Sequence, residues 1–152
     1  MKNEPSTGTS RPVRSIPGWI ASLLIVGGCA GGDPLGDRSI DVPLVKENAD
    51  DTAPAGATGM ARIETATGRI DISVVGLPPL TGEVYEGWLA GGDEDATSTG
   101  RFQTLADGTG SSSIALGDLT ARTFDRVVIT VEPEPDPTPK PDPRHAIAGN
   151  IP

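Results

Sequence analysis

The stretch that decides the fold is "MARIETATGRIDISVVGLPPL", residues 60–80. In its second half Ile70, Ile72 and Val74 alternate with Arg69, Asp71 and Ser73. That period of two is what a half-buried strand requires. "MARIETA" supplies a second short strand just ahead of it, and "ATGR" between the two puts Gly68 where a tight hairpin needs positive φ. The two strands are therefore expected to pair directly. "GLPPL" then ends the ladder, because Pro78 and Pro79 have no amide hydrogen to give.

The same grammar recurs downstream. "EVYEGWLA", "GRFQTL", "SSSIAL" and "DRVVITVE" are short apolar segments bounded by Gly or Asp-Gly, with Val127, Ile129 and Val131 as the inward set of the last. "ADGTG" at 106–110 is a second turn signal, and "HAIAG" is the last strand. "ALGDLTART" offers one helical turn at most. The expectation is an all-β fold, an antiparallel β-sandwich of about six or seven strands. With 152 residues there is room for one domain, and aromatics at 3% leave Val, Ile and Leu to build its core around Trp88, Tyr85 and Phe102. The formal charge is −9, from 12 basic against 21 acidic residues, with no Lys/Arg cluster. Nothing there tracks a phosphate backbone, so no nucleic acid is expected as a partner.

The amino terminus carries a different message. Lys2, Arg11 and Arg14 precede the apolar run of residues 16–26, which is the order of charge and grease in an export signal. The run is shorter than the roughly 20 residues of a membrane-spanning helix. It ends in Val26-Gly27-Gly28-Cys29, which resembles the bacterial lipobox: an aliphatic residue, two small residues, and the cysteine that receives a diacylglycerol. The reading is a lipoprotein signal peptide over 1–28, cleavage between Gly28 and Cys29, and lipidation at Cys29. As the chain has one cysteine, an intramolecular disulfide is excluded. Residues 29–59 mix Gly, Pro, Asp and Ala without sustained periodicity and are expected to be a lipidated tether, with "IDVPLV" as a short edge strand or docking segment. The ordered domain is expected over 60–152, with a Pro-rich connection at 132–143.

Candidate sites are few. Tyr85 and Trp88 stand three apart on one strand and so face opposite sides; Trp88 is taken as the core anchor and Tyr85 as a binding aromatic. Asp93 and Asp95 lie in the acidic loop "GGDEDATSTG" and are the candidate calcium ligands, although the loop fails the EF-hand pattern at its sixth and twelfth positions. "EPEPDPTPKPDP" has proline at every second position and is expected to be extended, either as a ligand for a groove or as a long strand connection. One His, one Cys and no nucleophile elbow leave no enzymatic constellation, no metal cluster and no expected cofactor.

Taken together, "GLPPLTGEVYEGWLAGG", "STGRFQTLADGTGSSSIAL" and "FDRVVITVEPEPDPTPKP" resemble the extracytoplasmic carboxy-terminal domain of RskA-type anti-sigma factors. The matching motifs are Leu77 to Pro79, Tyr85/Trp88/Leu89, Gly100/Phe102, Asp107/Gly108 and Thr130 to Pro133, and the resemblance covers roughly residues 60–150. Complete members carry a cytoplasmic helical domain that sequesters the sigma factor, then a spanning helix. Only 15 residues precede the apolar run here, so this chain is not expected to act as an anti-sigma factor alone. Where the family has a Gly-rich turn, this chain has its Pro-rich run, which leaves open how "HAIAG" docks.

The resemblance implies a non-catalytic interaction or sensory module. The lipobox implies that it sits on the extracytoplasmic side of the cell membrane, held by the lipid on Cys29, with another envelope protein as its partner. The alternative is an envelope module that binds a small ligand or calcium.

Overall fold

The structure is a computed structural model that describes residues 34–92, 94–138 and 140–152. The expected signal peptide, Gly28, Cys29 and Asp93 lie outside the described residues. Eight strands follow one another: β1 (Ser39–Val45), β2 (Thr58–Glu64), β3 (Arg69–Val75), β4 (Glu83–Ala90), β5 (Thr97–Phe102), β6 (Gly110–Ala115), β7 (Arg126–Pro133) and β8 (His145–Asn150). No helix occurs among the described residues. All pairings are antiparallel, in the order β5-β4-β7-β8-β1-β2-β3-β6. The two ends, β5 and β6, return to each other through the Thr104–Gly110 bridge, so the sheet is a nearly closed barrel. The six or seven strands expected are thus eight, and they form one continuous sheet folded onto itself rather than two separate ones.

The hairpin that opened the sequence is built as the alternation requires. Ile70, Ile72 and Val74 point inward and are buried, and β2 pairs with β3 along its whole length from Thr58↔Val75 to Glu64↔Arg69. Gly68 has φ 64°, and a Cβ there would sit 1.8 Å from the Gly117 carbonyl, so both backbone and space demand glycine. Across the core Ile72 of β3 faces Gly87 of β4: a Cβ on Gly87 would lie 2.7 Å from Ile72 Cδ1 and 2.3 Å from Thr99 Oγ1. Val127, Ile129 and Val131 of β7 complete that core with Tyr85, Leu89 and Ile147.

The expected tether requires a correction. Residues 39–45 are not an edge strand: β1 pairs with β2 from Ser39↔Glu64 to Val45↔Thr58 and meets β8 at Val45↔Ala148, with Ile40, Val42 and Leu44 buried. Leu35 is buried as well, its amide donating to Arg122 O at 2.8 Å. Downstream, Lys46 Nζ gathers the carbonyls of Asp51 and Ala53 at 2.7 and 2.8 Å, which folds the 46–57 loop over the barrel end and buries Ala53 and Ala57. The domain therefore includes everything from Pro34 onward.

Candidate functional site

β4 and β7 are buried along six consecutive positions, so both of their faces are covered. Tyr85, Gly87 and Leu89 of β4 face the core, which leaves Val84, Glu86 and Trp88 on the outer face beside Val128, Thr130 and Glu132 of β7. An outer face carrying two glutamates and a tryptophan is normally wet. Here Trp88 is 3%, Glu86 4% and Glu132 1% exposed.

The cover is the Pro-rich connection between β7 and β8, pinned at three strands. At β5, Arg101 donates to Glu86 Oε2 at 2.8 Å and, from its other nitrogens, to Asp136 Oδ2 at 2.7 Å and Glu134 Oε2 at 3.4 Å. At β7, the Asp142 amide donates to Glu132 Oε1 at 2.8 Å. At β4, Arg144 reaches the Glu83 carboxylate while also holding Asp142 Oδ1 at 3.0 Å and the Val131 carbonyl at 3.1 Å. Proline at alternate positions stiffens such a segment and removes amides that would otherwise need partners. It thus acts as a strap across the sheet and not as a free ligand. "HAIAG" docks beyond it as β8, against β7 on one side and β1 on the other.

Beneath the strap runs a relay of hydrogen bonds. Trp88 Nε1 donates to Thr130 Oγ1 at 2.8 Å, Thr130 Oγ1 donates to Glu132 Oε1, and Asp142 N closes on the same oxygen. No cation pairs with Glu132 among the described residues; neutral donors hold it. Arg101 and Arg144 are held more firmly protonated than an ordinary guanidinium, by hydrogen bonds to Glu86 in one case and to Asp142 and then Glu83 in the other. The Asp142 carboxyl in turn is pulled below the usual carboxylate range by the Arg144 hydrogen bond, which outweighs its desolvation.

The sequence-derived candidates fall out as follows. Tyr85 is 2% exposed: its ring stacks on Phe102 at 5.7 Å and its hydroxyl donates to Pro78 O at 2.8 Å. Burial, followed by the nearby Glu83 charge, pushes that phenol up to about 12. Tyr85 is therefore the core anchor and not a binding aromatic, while Trp88 is the buried aromatic of the outer face. Asp95 is exposed, its backbone carbonyl accepting from Thr97 Oγ1 at 3.4 Å. Its neighbour Glu94 is spent on Arg122, at 2.7 Å, and Arg122 also lies 4.9 Å over the Phe124 ring. That takes one carboxylate away from any calcium site in the loop. Among the described residues no group of three or more His, Cys, Asp or Glu side chains is arranged to hold a metal ion. Sequence reasoning missed Glu132, Thr130 and Arg101. Only the strict Pro alternation next to an acidic strand end hinted at them.

An antiparallel eight-stranded barrel with a carboxy-terminal strap defines an all-β domain whose polar side chains serve its own architecture. A family model described as Anti-sigma-K factor rskA, C-terminal, matches residues 21–145, and the chain belongs to that family. No curated protein and no solved structure matches it at a significant level.

Proposed function

We propose that the chain is an exported lipoprotein, held to the cell membrane by a lipid on Cys29, whose β-domain is a non-catalytic interaction or sensory module on the extracytoplasmic side. The observation that supports this best is the family match over residues 21–145, which starts within the apolar run and spans Val26-Gly27-Gly28-Cys29. Family membership makes the role regulatory; the lipobox gives its address. Because the domain includes Pro34, four residues separate it from Cys29. At no more than about 3.6 Å per residue they hold the Leu35 end of the barrel close to the bilayer. A chain cut before Cys29 carries 9 basic and 20 acidic residues, so attraction to an anionic surface does not replace the lipid.

The test is fractionation of cells fed a clickable fatty acid. The parent should carry the label and pellet with membranes. Cys29→Ser should lose the label and leave the pellet, since one acylated site is the anchor. Retention of the unlabelled variant in the pellet would show that residues 16–26 stay on as an uncleaved anchor.

A further inference from the structure

Among the described residues four large hydrophobics are exposed: Val45, Met60, Val75 and Leu105, at 47, 42, 57 and 68%. They are scattered along the sequence, yet the register gathers them. Val45 pairs with Thr58 and Thr58 with Val75, which makes one outward row across β1, β2 and β3. The row continues into the β5–β6 turn: Val74 pairs with Gly110, and Leu105 donates its amide to Thr109 O at 2.8 Å, which places Leu105 beyond Val75. Met60 stands in the next row with Pro43 and Ser73, beside a recess of about 420 Å³ shared with Arg62, Asp71, Ser111 and Ser113. Among the described residues no segment crosses this face as the strap crosses the other.

The rim of the row is acidic. Beyond Val45 lie Asp50 and Asp51, and beside Leu105 lies Asp107. Lys46 is turned into its own loop by the two carbonyls it holds, and Arg126 is consumed by Glu47. The Asp107 carboxyl is kept below its usual range by the Thr109 side chain and amide, so its charge persists at mildly acidic pH.

We propose that this row docks an extended segment of another protein in which apolar residues are flanked by basic ones. A second copy fits poorly. A two-fold axis along β2 that lays the row on itself would set Arg62 on Arg62 and Asp41 over Asp71, since these pair in register in the third row. The apolar area is also on the order of a few hundred Å², below the roughly 800 Å² that each partner buries in a stable interface. The bilayer that would hold Cys29 fits poorly too. Pro34 precedes β1, on the side where that strand begins at Ser39, and Val45 is at its far end, seven strand residues on, or about 20 Å. The inference deepens the reading of the domain as an interaction module and does not depend on the lipid.

The test uses the full chain in nanodiscs of zwitterionic lipid, with empty nanodiscs subtracted. Two labelled peptides serve as probes, one alternating Leu with Lys and one alternating Leu with Glu, followed by fluorescence anisotropy. The Lys peptide should bind, and the Glu peptide should bind at least about tenfold more weakly. Val75→Lys and Leu105→Lys, on separate elements and both at exposed sites, should each weaken the Lys peptide by about tenfold while melting like the parent. Equal binding of the two peptides, no binding of either, or binding indifferent to both substitutions overturns the proposal. So does self-association of the parent that Val75→Lys abolishes. Repeating the titration with Cys29→Ser separates the two readings: a failed anchor leaves the peptide result unchanged.

Discussion

The two outer faces of the sheet are made by the same alternation and meet opposite fates. On β1, β2 and β3 the outward positions are exposed or half-exposed, and their charged pairs are surface pairs: Arg62 with Asp41 and Glu64 at 3.6 and 3.4 Å, Arg69 with Asp71 at 2.8 Å. Such pairs contribute little. On β4 and β7 the outward positions are buried under the strap, and Arg101 works between carboxylates that are 6 and 5% exposed. One face is closed by the chain itself; the other carries exposed Val45, Met60 and Val75 among the described residues. The strap therefore decides which half of the sheet is structure and which half is available surface.

The largest effect that separates the faces is expected at Trp88. Trp88→Ala empties a large buried volume and strips Thr130 of its indole donor, a cost of about 3–5 kcal/mol. Val75→Ala, on the open face, should stay within about 0.5 kcal/mol of the parent. Denaturant unfolding of both variants tests the contrast. Equal losses would erase it.

Next comes the strap's main bolt. Arg101→Ala leaves Glu86 and Asp136 without their cation, and breaking a fully buried pair costs roughly 3–5 kcal/mol. Arg101 itself is 37% exposed, so water takes up part of the loss and about 1–3 kcal/mol is expected. The damage should be local: faster amide exchange around residues 134–144, with β1, β2 and β3 unchanged. Uniform loosening of the whole sheet would mean that the strap is not a separable cover.

How much of this was legible differs between the faces for the same reason. Alternation on β3 marks its inward set without ambiguity, because its outward residues are polar, and the hairpin at Gly68 follows from the same reading. On β4 apolar residues occupy both parities, Val84 and Trp88 on one and Tyr85 and Leu89 on the other. Period alone places the two aromatics on opposite faces but does not say which faces inward. Gly87 decides it, since it must admit Ile72 from across the core and Thr99 from the neighbouring strand β5. β1 was hidden by its proline. A Cβ on Gly149 would lie 2.1 Å from Pro43 O, so the Pro43 carbonyl, and with it the position of the missing amide hydrogen, faces β8 and not the β2 ladder. A strand can keep a proline there. Glu132 was illegible because its donors, a threonine hydroxyl and the amide of Asp142, leave no charge pattern in the sequence.

The smallest effect is that of acid, which sharpens the comparison by touching both faces. The Arg144 hydrogen bond lowers Asp142 under the strap, and Arg69 followed by Ser113 lowers Asp71 on the open face. A carboxylate whose folded pKa is depressed stabilises above its unfolded value, about 3.9, and that stability is lost as pH falls through the folded value. The melting temperature should thus be level from pH 7 to about 5 and decline below about 4. A melting temperature that instead rises as pH falls from neutrality would point to carboxylates with raised pKa values beneath the strap, since these bind protons more readily in the folded state.

The difference between the faces exists only if the strap is part of the fold, and the most direct measurement is residue-resolved hydrogen exchange of the Asp142 amide in the full chain. That amide donates to Glu132 Oε1 at 2.8 Å beneath a segment anchored by Arg101 and Arg144. It should exchange orders of magnitude more slowly than an unstructured amide, and Arg101→Ala should release it. Exchange of Asp142 at the unstructured rate in the parent would contradict the account: the Pro-rich run would then be an open connection, and Trp88 and Glu132 would lie as open to partners as the row from Val45 to Leu105.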